Sequence, residues 1–357
     1  MIKKGLSFRD YVQKALYDPA DGYYSGQKDG RKRGLDYATS HLISPAFGFA
    51  LAQLYREFVA RIGDGPYAIV DIGCGDGGLI RQVEDSLSIP ELRKAVLYGV
   101  DRTLRDVQRE DSRVSYVEDL ESLPFDLPLF IISNELFDAF PFARLVMREG
   151  ELFELWVTEG AQGRDWSEKP APSVYADYFE RWEIVLAEGQ FADVCLDWSS
   201  FYGSLAARCQ RALIVTFDYG YEAGKLFDPR VRRYGTAATY HRHQVGRDLL
   251  ANPGEQDITC HINFSDLIRS GEQAGMRTLT FTRQAHFLLN IGITAHPLLA
   301  PAGEVESAGV ESLAALADDR DAARRLILPA GIGDEMRVLV QGKNIPETGW
   351  SFQRPLY

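Results

Sequence analysis

The stretch "IVDIGCGDGGLIRQV", residues 69–83, constrains this chain more than any other. An apolar run interrupted only by Asp71 passes into glycines and then into an amphipathic helical pattern. That is how a buried parallel strand hands over to the helix that crosses back over its sheet. The residues that follow repeat the alternation: "AVLYGVD" (95–101) reads as a strand, "TLRDVQRE" (103–110) as a helix, "VSYVE" (114–118) as a strand, and "PLFIISNE" (128–135) as a strand ending in a loop. The pattern predicts an α/β fold with a doubly wound, mostly parallel sheet.

Residues 7–17 form an amphipathic pattern, with Phe8, Tyr11, Val12, Ala15 and Leu16 on one face and Ser7 placed to cap it. A turn-rich loop follows, and residues 45–62 predict a second helix with Pro45 in its first turn. The alternation breaks near residue 142. "ARLVMREGELFELWVTEG" reads as a hairpin turning at Glu149-Gly150, residues 160–173 as a surface loop, and 174–188 and 198–210 as helices. "ALIVTFDYG" restores the core strand pattern, and 220–262 is loop-rich. "FSDLIRSGEQAG" predicts a helix capped by Ser265 and stopped by Gly275. "RTLTFTRQAHFLL" and "EMRVLVQGK" complete a seven-stranded, Rossmann-like sheet as its last two strands, the final one reversed, with a helix near 305–325 between them. The expected divisions are an N-terminal helical cap with a cofactor-covering loop (1–62), a core (63–141 and 201–357) and an inserted lobe (142–200).

Composition narrows the function classes. A net charge of −12 over 357 residues argues against a broad grip on nucleic acid. Cys74, Cys195, Cys209 and Cys260 form no C-x-x-C pair, so neither a disulfide framework nor a zinc site is expected, and a reducing compartment suits the chain. No apolar run of about 18 residues occurs, which leads to an expectation of a cytoplasmic protein without membrane insertion. His241 and His243 share a strand face, but only His261 is near in sequence as a third ligand, and hydrogen-bonding roles suit them better than a metal.

The glycine loop admits two readings. Gly73-x-Gly75-x-x-Gly78 matches a dinucleotide fingerprint; Asp71-x-Gly73-x-Gly75-x-Gly77 matches the nucleotide loop of enzymes using S-adenosyl-L-methionine (SAM). Asp71 favours the second, because SAM carries a sulfonium and an ammonium where a dinucleotide carries pyrophosphate. Asp101 is placed for ribose hydroxyls in either reading. Asp119, with Leu120, is placed for an adenine. "ISNELFDAFPF" adds Asn134 and two carboxylates, Glu135 and Asp138, for which hydride transfer has no evident need.

"FRDYVQKALYDPADGYYS", "DYATSHLIS", "VDIGCGDGGL", "SNELFDAFPF", "FDYGY" and above all "GTAATYHRHQVGRDLLANPGEQDITCHINFSDL" resemble the MidA family of SAM-dependent methyltransferases, over nearly the whole chain, from about residue 5 to about 343. Mitochondrial members of that family are complex I assembly factors that methylate an arginine of a complex I subunit. The resemblance implies a SAM-dependent methyltransferase fold, S-adenosyl-L-homocysteine as product, and a protein arginine as acceptor. It also brings Thr39 and Ser40 toward the cofactor. The chain departs from the family at His41-Leu42, where Pro-Glu is usual, and at Asp76, where a basic residue is frequent.

For the acceptor, Glu135 is the first candidate to clamp a guanidinium and Asp138 the second, with Asn134 beside them. An anionic acceptor at 4–6 Å from such groups would be opposed by about 3–4 kcal/mol at an effective dielectric of about 20. Lysine offers no planar fork. Small-molecule O- or N-methylation, and a SAM-binding assembly or scaffold role, remain alternatives at this stage.

Overall fold

The computed structural model describes residues 5–25, 40–63, 65–104, 112–160, 163–242, 244–300, 310–329 and 331–355. They divide into two compact units: Thr39–Leu136, Phe201–Asp218 and Ile268–Tyr357 make one; Met1–Ala38, Phe137–Ser200 and Tyr219–Leu267 the other.

The first unit is built on a sheet of β1 (Tyr67–Ile72), β2 (Ala95–Val100), β3 (Val114–Val117), β4 (Leu129–Asn134), β5 (Ala212–Tyr221), β6 (Arg277–Arg283) and β7 (Met336–Lys343). Their order is β6-β7-β5-β4-β1-β2-β3. The pairs from β5 through β3 are parallel, and β6 and β7 are antiparallel. Among the described residues one further short strand, Ile262–Asn263, pairs with Gly220 and Tyr221 at the end of β5, off this seven-strand path. Two residues carry no periodicity, so this strand leaves no trace in sequence.

All six residues of β1 and of β4 are buried, as strands covered on both faces must be. The chain steps outward from β1 to β2 and β3, then returns to place β4 on the other side of β1. That reversal opens a crevice at the carboxyl ends of β1 and β4, where open α/β sheets hold ligands. The helix Ala46–Ile62 packs beneath it, with Phe47 5.0 Å from Phe217 and Phe58 5.8 Å from Phe130 between ring centroids. It stops at Gly63, whose φ of 88° and ψ of −164° form a backbone conformation open to glycine.

The predicted strand over 277–289 is corrected. It ends at Arg283, and Gln284–Asn290 is a helix burying Phe287 and Leu288. Apolar residues continue across the junction, and a short apolar run does not distinguish strand from helix. Residues 105–110 of the predicted helix after β2 lie outside the described residues; Val310–Arg325 is helical. Among the described residues no helix is long and apolar enough to cross a membrane.

The second unit carries an antiparallel sheet of Leu6–Ser7, Ala143–Arg148, Glu151–Gly160, Gly163–Pro170 and Phe191–Val194. The hairpin turns at Glu149 and Gly150, both with positive φ, as predicted. The surface loop expected over 160–173 is instead largely a strand, with Gly163–Pro170 paired along Phe153–Gly160. The helix expected over 174–188 is Ser173–Arg181. Phe8–Tyr17 is helical as predicted; Ser7 accepts from Asp10 N at 3.1 Å, and Phe8, Tyr11, Val12, Ala15 and Leu16 are buried. Leu6 and Ser7 pair with Val157 and Trp156, which ties this helix to the second unit.

Tyr178 and Phe179 pack with Leu145, Val194, Leu226 and Phe227 in this unit's core. Tyr178 donates to Asp266 Oδ2 at 2.7 Å and accepts from Asn263 Nδ2 at 2.8 Å, so the buried polar groups are mutually satisfied. The loop-rich stretch 220–262 contains a small sheet of Ala238–His241, Gln244–Gly246 and Asp257–Thr259. The cap expected from Ser265 is corrected: Asn263 Oδ1 accepts from Ser265 N at 3.1 Å, while Ser265 Oγ accepts from Ala223 N.

Candidate active site

The loop after β1 is shaped by backbone conformation. Gly73, Gly75 and Gly77 have φ of 77°, 52° and 72°. A Cβ on Gly73 would stand 2.9 Å from Leu136 Cδ1, so this loop and the segment after β4 approach as closely as bare backbone permits. A Cβ on Gly75 would meet no atom of the described residues within 4 Å. Gly75 therefore presents open backbone to the crevice, and its N–H donates to Asp101 Oδ2 at 3.0 Å. Asp101 Oδ1 accepts from Thr103 N and Oγ1 at 2.8 and 2.7 Å. The carboxylate at the end of β2 thus fixes its own turn and reaches across to the glycine loop.

Asp71 is 2% exposed, and its Oδ2 has no hydrogen-bond partner among the described residues. Burial first, then repulsion from Asp101, pushes its carboxyl up to about 7, against a bond from the Ile80 backbone that favours the charged form. Asp76 behaves oppositely. His41, 3.8 Å away, together with the Gly78 N–H at 2.8 Å, pulls it down to about 2. His41 and Asp76, two of the positions where the chain departs from the family it resembles, thus stand beside each other.

On the other side of the crevice, Asn134 ends β4 and Glu135 follows with φ 52°. That conformation costs a non-glycine residue about 1–2 kcal/mol. Glu135 N donates to Phe217 O at 2.9 Å, and Asn134 Nδ2 donates to Glu135 Oε1 at 3.1 Å. Both side chains are 8% exposed, and Asn134 Oδ1 has no partner among the described residues. Two buried, orphaned oxygens at the ends of adjacent strands, Asp71 Oδ2 and Asn134 Oδ1, are what a site for a cationic, hydrogen-bonding ligand leaves when built from protein alone.

The remaining candidates are placed as follows. Asp119 is exposed and caps the short turn Leu120–Ser122, accepting from Ser122 N at 3.2 Å; Leu120 is half-buried. Thr39 lies outside the described residues. Ser40 is fully buried, and its hydroxyl donates to Gln284 Oε1 at 3.1 Å, so the protein itself uses that group. Asp138 belongs to the second unit, where it is 5% exposed. Its neighbours are anchored there: Trp198 Nε1 donates to Phe137 O at 2.8 Å and Tyr17 Oη to Ala139 O at 2.9 Å. His241 Nδ1 lies 2.8 Å from Glu255 O, and His243 is outside the described residues.

Sequence reading missed Leu136, which closes under Gly73, and Tyr116, which is 3.2 Å from Arg81 Nη1 and stands where a Gly77 side chain would be. Tyr116 could have been found: in "VSYVE" it is the one large polar-tipped residue near the carboxyl end of β3.

A doubly wound sheet with an open glycine loop, an acid at the end of its second strand and a buried carboxylate beneath the loop defines a nucleotide-binding transferase of the SAM-dependent class. The chain belongs to the family described as "Putative S-adenosyl-L-methionine-dependent methyltransferase", whose model matches residues 50–282. It is similar to a COG1565 superfamily member from Burkholderia thailandensis solved bound to S-adenosyl-homocysteine, at 26% identity and a TM-score of 0.82, covering 98% of this chain and 90% of that one. It is also similar to a native structure of a COG1565 superfamily protein from the same organism, at 25% identity and 0.80, with the same coverage. No curated protein matches the chain. SAM is the cofactor.

Proposed function

We propose that this methyltransferase acts on an arginine side chain of a protein acceptor. The observation that carries the reading is Glu135: a carboxylate 8% exposed, held in a left-handed backbone at the end of β4, with the Asn134 amide on one of its oxygens. Strain of that kind persists where surrounding structure imposes it, and it clusters at functional sites. Gly73, Gly75 and Gly77 would hold the amino-acid end of SAM, Asp71 its cationic groups, Asp101 its ribose, and Asp119 with Leu120 its adenine. When bound, SAM supplies a methyl group activated by its sulfonium.

Glu135 has two roles in this reading. It orients a guanidinium by charge-assisted hydrogen bonds, aiming one nitrogen at the methyl position. It also stabilises the positive charge that the guanidinium keeps until a proton leaves, because arginine reaches the site charged. Positioning then supplies most of the acceleration. Asn134 holds Glu135 in place, and Asp138, two residues past Leu136, is the second acidic group of the same motif.

The test is methyl incorporation from tritiated SAM into the proteome of a deletion strain, with wild type and Glu135→Gln compared. Label transferred by wild type to protein and lost in the variant supports the reading. Label confined to small molecules assigns the alternative acceptor class, and an absence of transfer alongside retained cellular function assigns a scaffold role.

A further inference from the structure

In the second unit, two cations converge on one aromatic ring. Lys225 Nζ and Arg232 Cζ each lie 4.5 Å from the centroid of Tyr221. The two charges are therefore at most about 9 Å apart, within a Debye length at 0.1 M salt. Among the described residues neither has a carboxylate within ion-pairing distance. Asp228, the nearest acid in the chain to Arg232, is taken by Arg230 at 2.8 Å. Arg232 Nε is buried with no hydrogen-bond partner among the described residues. A buried guanidinium N–H without an acceptor is the feature that calls for a ligand here, and the second cation on the same ring adds to its charge.

The scaffold beneath them is firm. Tyr221 is the last residue of β5, in register with Asn263, and the His261 ring packs 5.9 Å from it. Lys225 rides on the short helix Ala223–Leu226, whose end residues are buried in the core of the unit. Lys225 is itself exposed. The ring attracts both cations and gathers two positive charges about one side chain, where a nearby anion is drawn by both.

We propose that Lys225 and Arg232, gathered on Tyr221, bind a small oxyanionic group, a carboxylate or a phosphate. Arg232 suits a planar or tetrahedral oxyanion through its fork of donors, and Lys225 adds a second charge. A polyanion is disfavoured by the net charge of the chain.

The test is isothermal titration of the full chain at low ionic strength with succinate and, separately, inorganic phosphate. Wild type is compared with Lys225→Gln, Arg232→Gln and the control Arg233→Gln, whose guanidinium donates to Glu188 O instead. Saturable binding of at least one titrant, with a dissociation constant on the order of 1 mM, is expected, weakened about tenfold in the first two variants and unchanged in the control. Binding of succinate alone assigns a carboxylate, of phosphate alone a phosphate, and of both a general oxyanion site. Should Arg232→Gln fail to fold by circular dichroism, Lys225→Gln decides, since Lys225 is exposed. No saturable binding of either anion, or binding that Lys225→Gln leaves unchanged, overturns the proposal.

Discussion

The backbone N–H of Gly75 donates to Asp101 Oδ2 across 3.0 Å. Through this one bond the carboxylate that ends β2 sets the shape of the loop that ends β1, and the two cofactor signals of the sequence become one structural feature. Replacing Asp101 by Ala removes a charge-assisted acceptor worth about 1.5–3 kcal/mol. S-adenosyl-homocysteine affinity, measured by calorimetry, is expected to fall by about 10- to 100-fold, even though Asp101 is distant in sequence from the glycines.

Gly75→Val tests the open face of the loop directly. Its φ of 52° is unfavourable to a β-branched residue, and its Cβ would enter space that no atom of the described residues claims. Because no clash with the described residues opposes it, stability should fall only by the roughly 1–2 kcal/mol of backbone strain, a modest drop in the thermal midpoint. Cofactor binding should be lost. Retained binding would mean the ligand does not approach this glycine.

Asp71 makes the first unit sensitive to pH. Its ordinary value is 3.8 and its folded value about 7. Between these the folded state binds more protons than the unfolded chain, so stability falls as pH rises from about 4 to about 7 and levels off above. Cofactor affinity should run the other way, rising through pH 7 as the carboxylate becomes charged toward a cationic ligand. Asp71→Asn should flatten both profiles in denaturant melts and titrations; profiles unchanged by this variant would remove Asp71 from the site.

The strand-helix alternation was legible because β1 and β4 are buried on both faces and so are written as largely apolar runs, with polar residues only at or near their carboxyl ends. Gly163–Pro170 was illegible for the opposite reason. Its residues are mostly exposed, "GRDWSEKP" has the composition of a loop, and its strand conformation comes from pairing with Glu151–Gly160. Glu135 was named from its charge and its place after a strand, but nothing in a sequence announces a left-handed glutamate. Ser40 looked like a ligand-facing hydroxyl; its use by Gln284 depends on a contact 244 residues away.

Phe8 shows how firmly the N-terminal helix is bound to the second unit. It is fully buried, with ring centroids 5.5 Å from Phe142 and 5.0 Å from Trp166. Phe8→Ala should cost about 3–5 kcal/mol in chemical denaturation. A loss under about 1 kcal/mol would show that the helix contributes little to the fold.

The residue that receives the methyl group tests the account most directly. Protein labelled by the wild-type enzyme in extract from a deletion strain should be digested and its modified residues identified by mass spectrometry. Monomethyl- or dimethylarginine, present with wild type and absent with Glu135→Gln under conditions where that variant still binds S-adenosyl-homocysteine, is the predicted result. Label on a carboxylate, a hydroxyl or a free metabolite, with none on arginine, would contradict it.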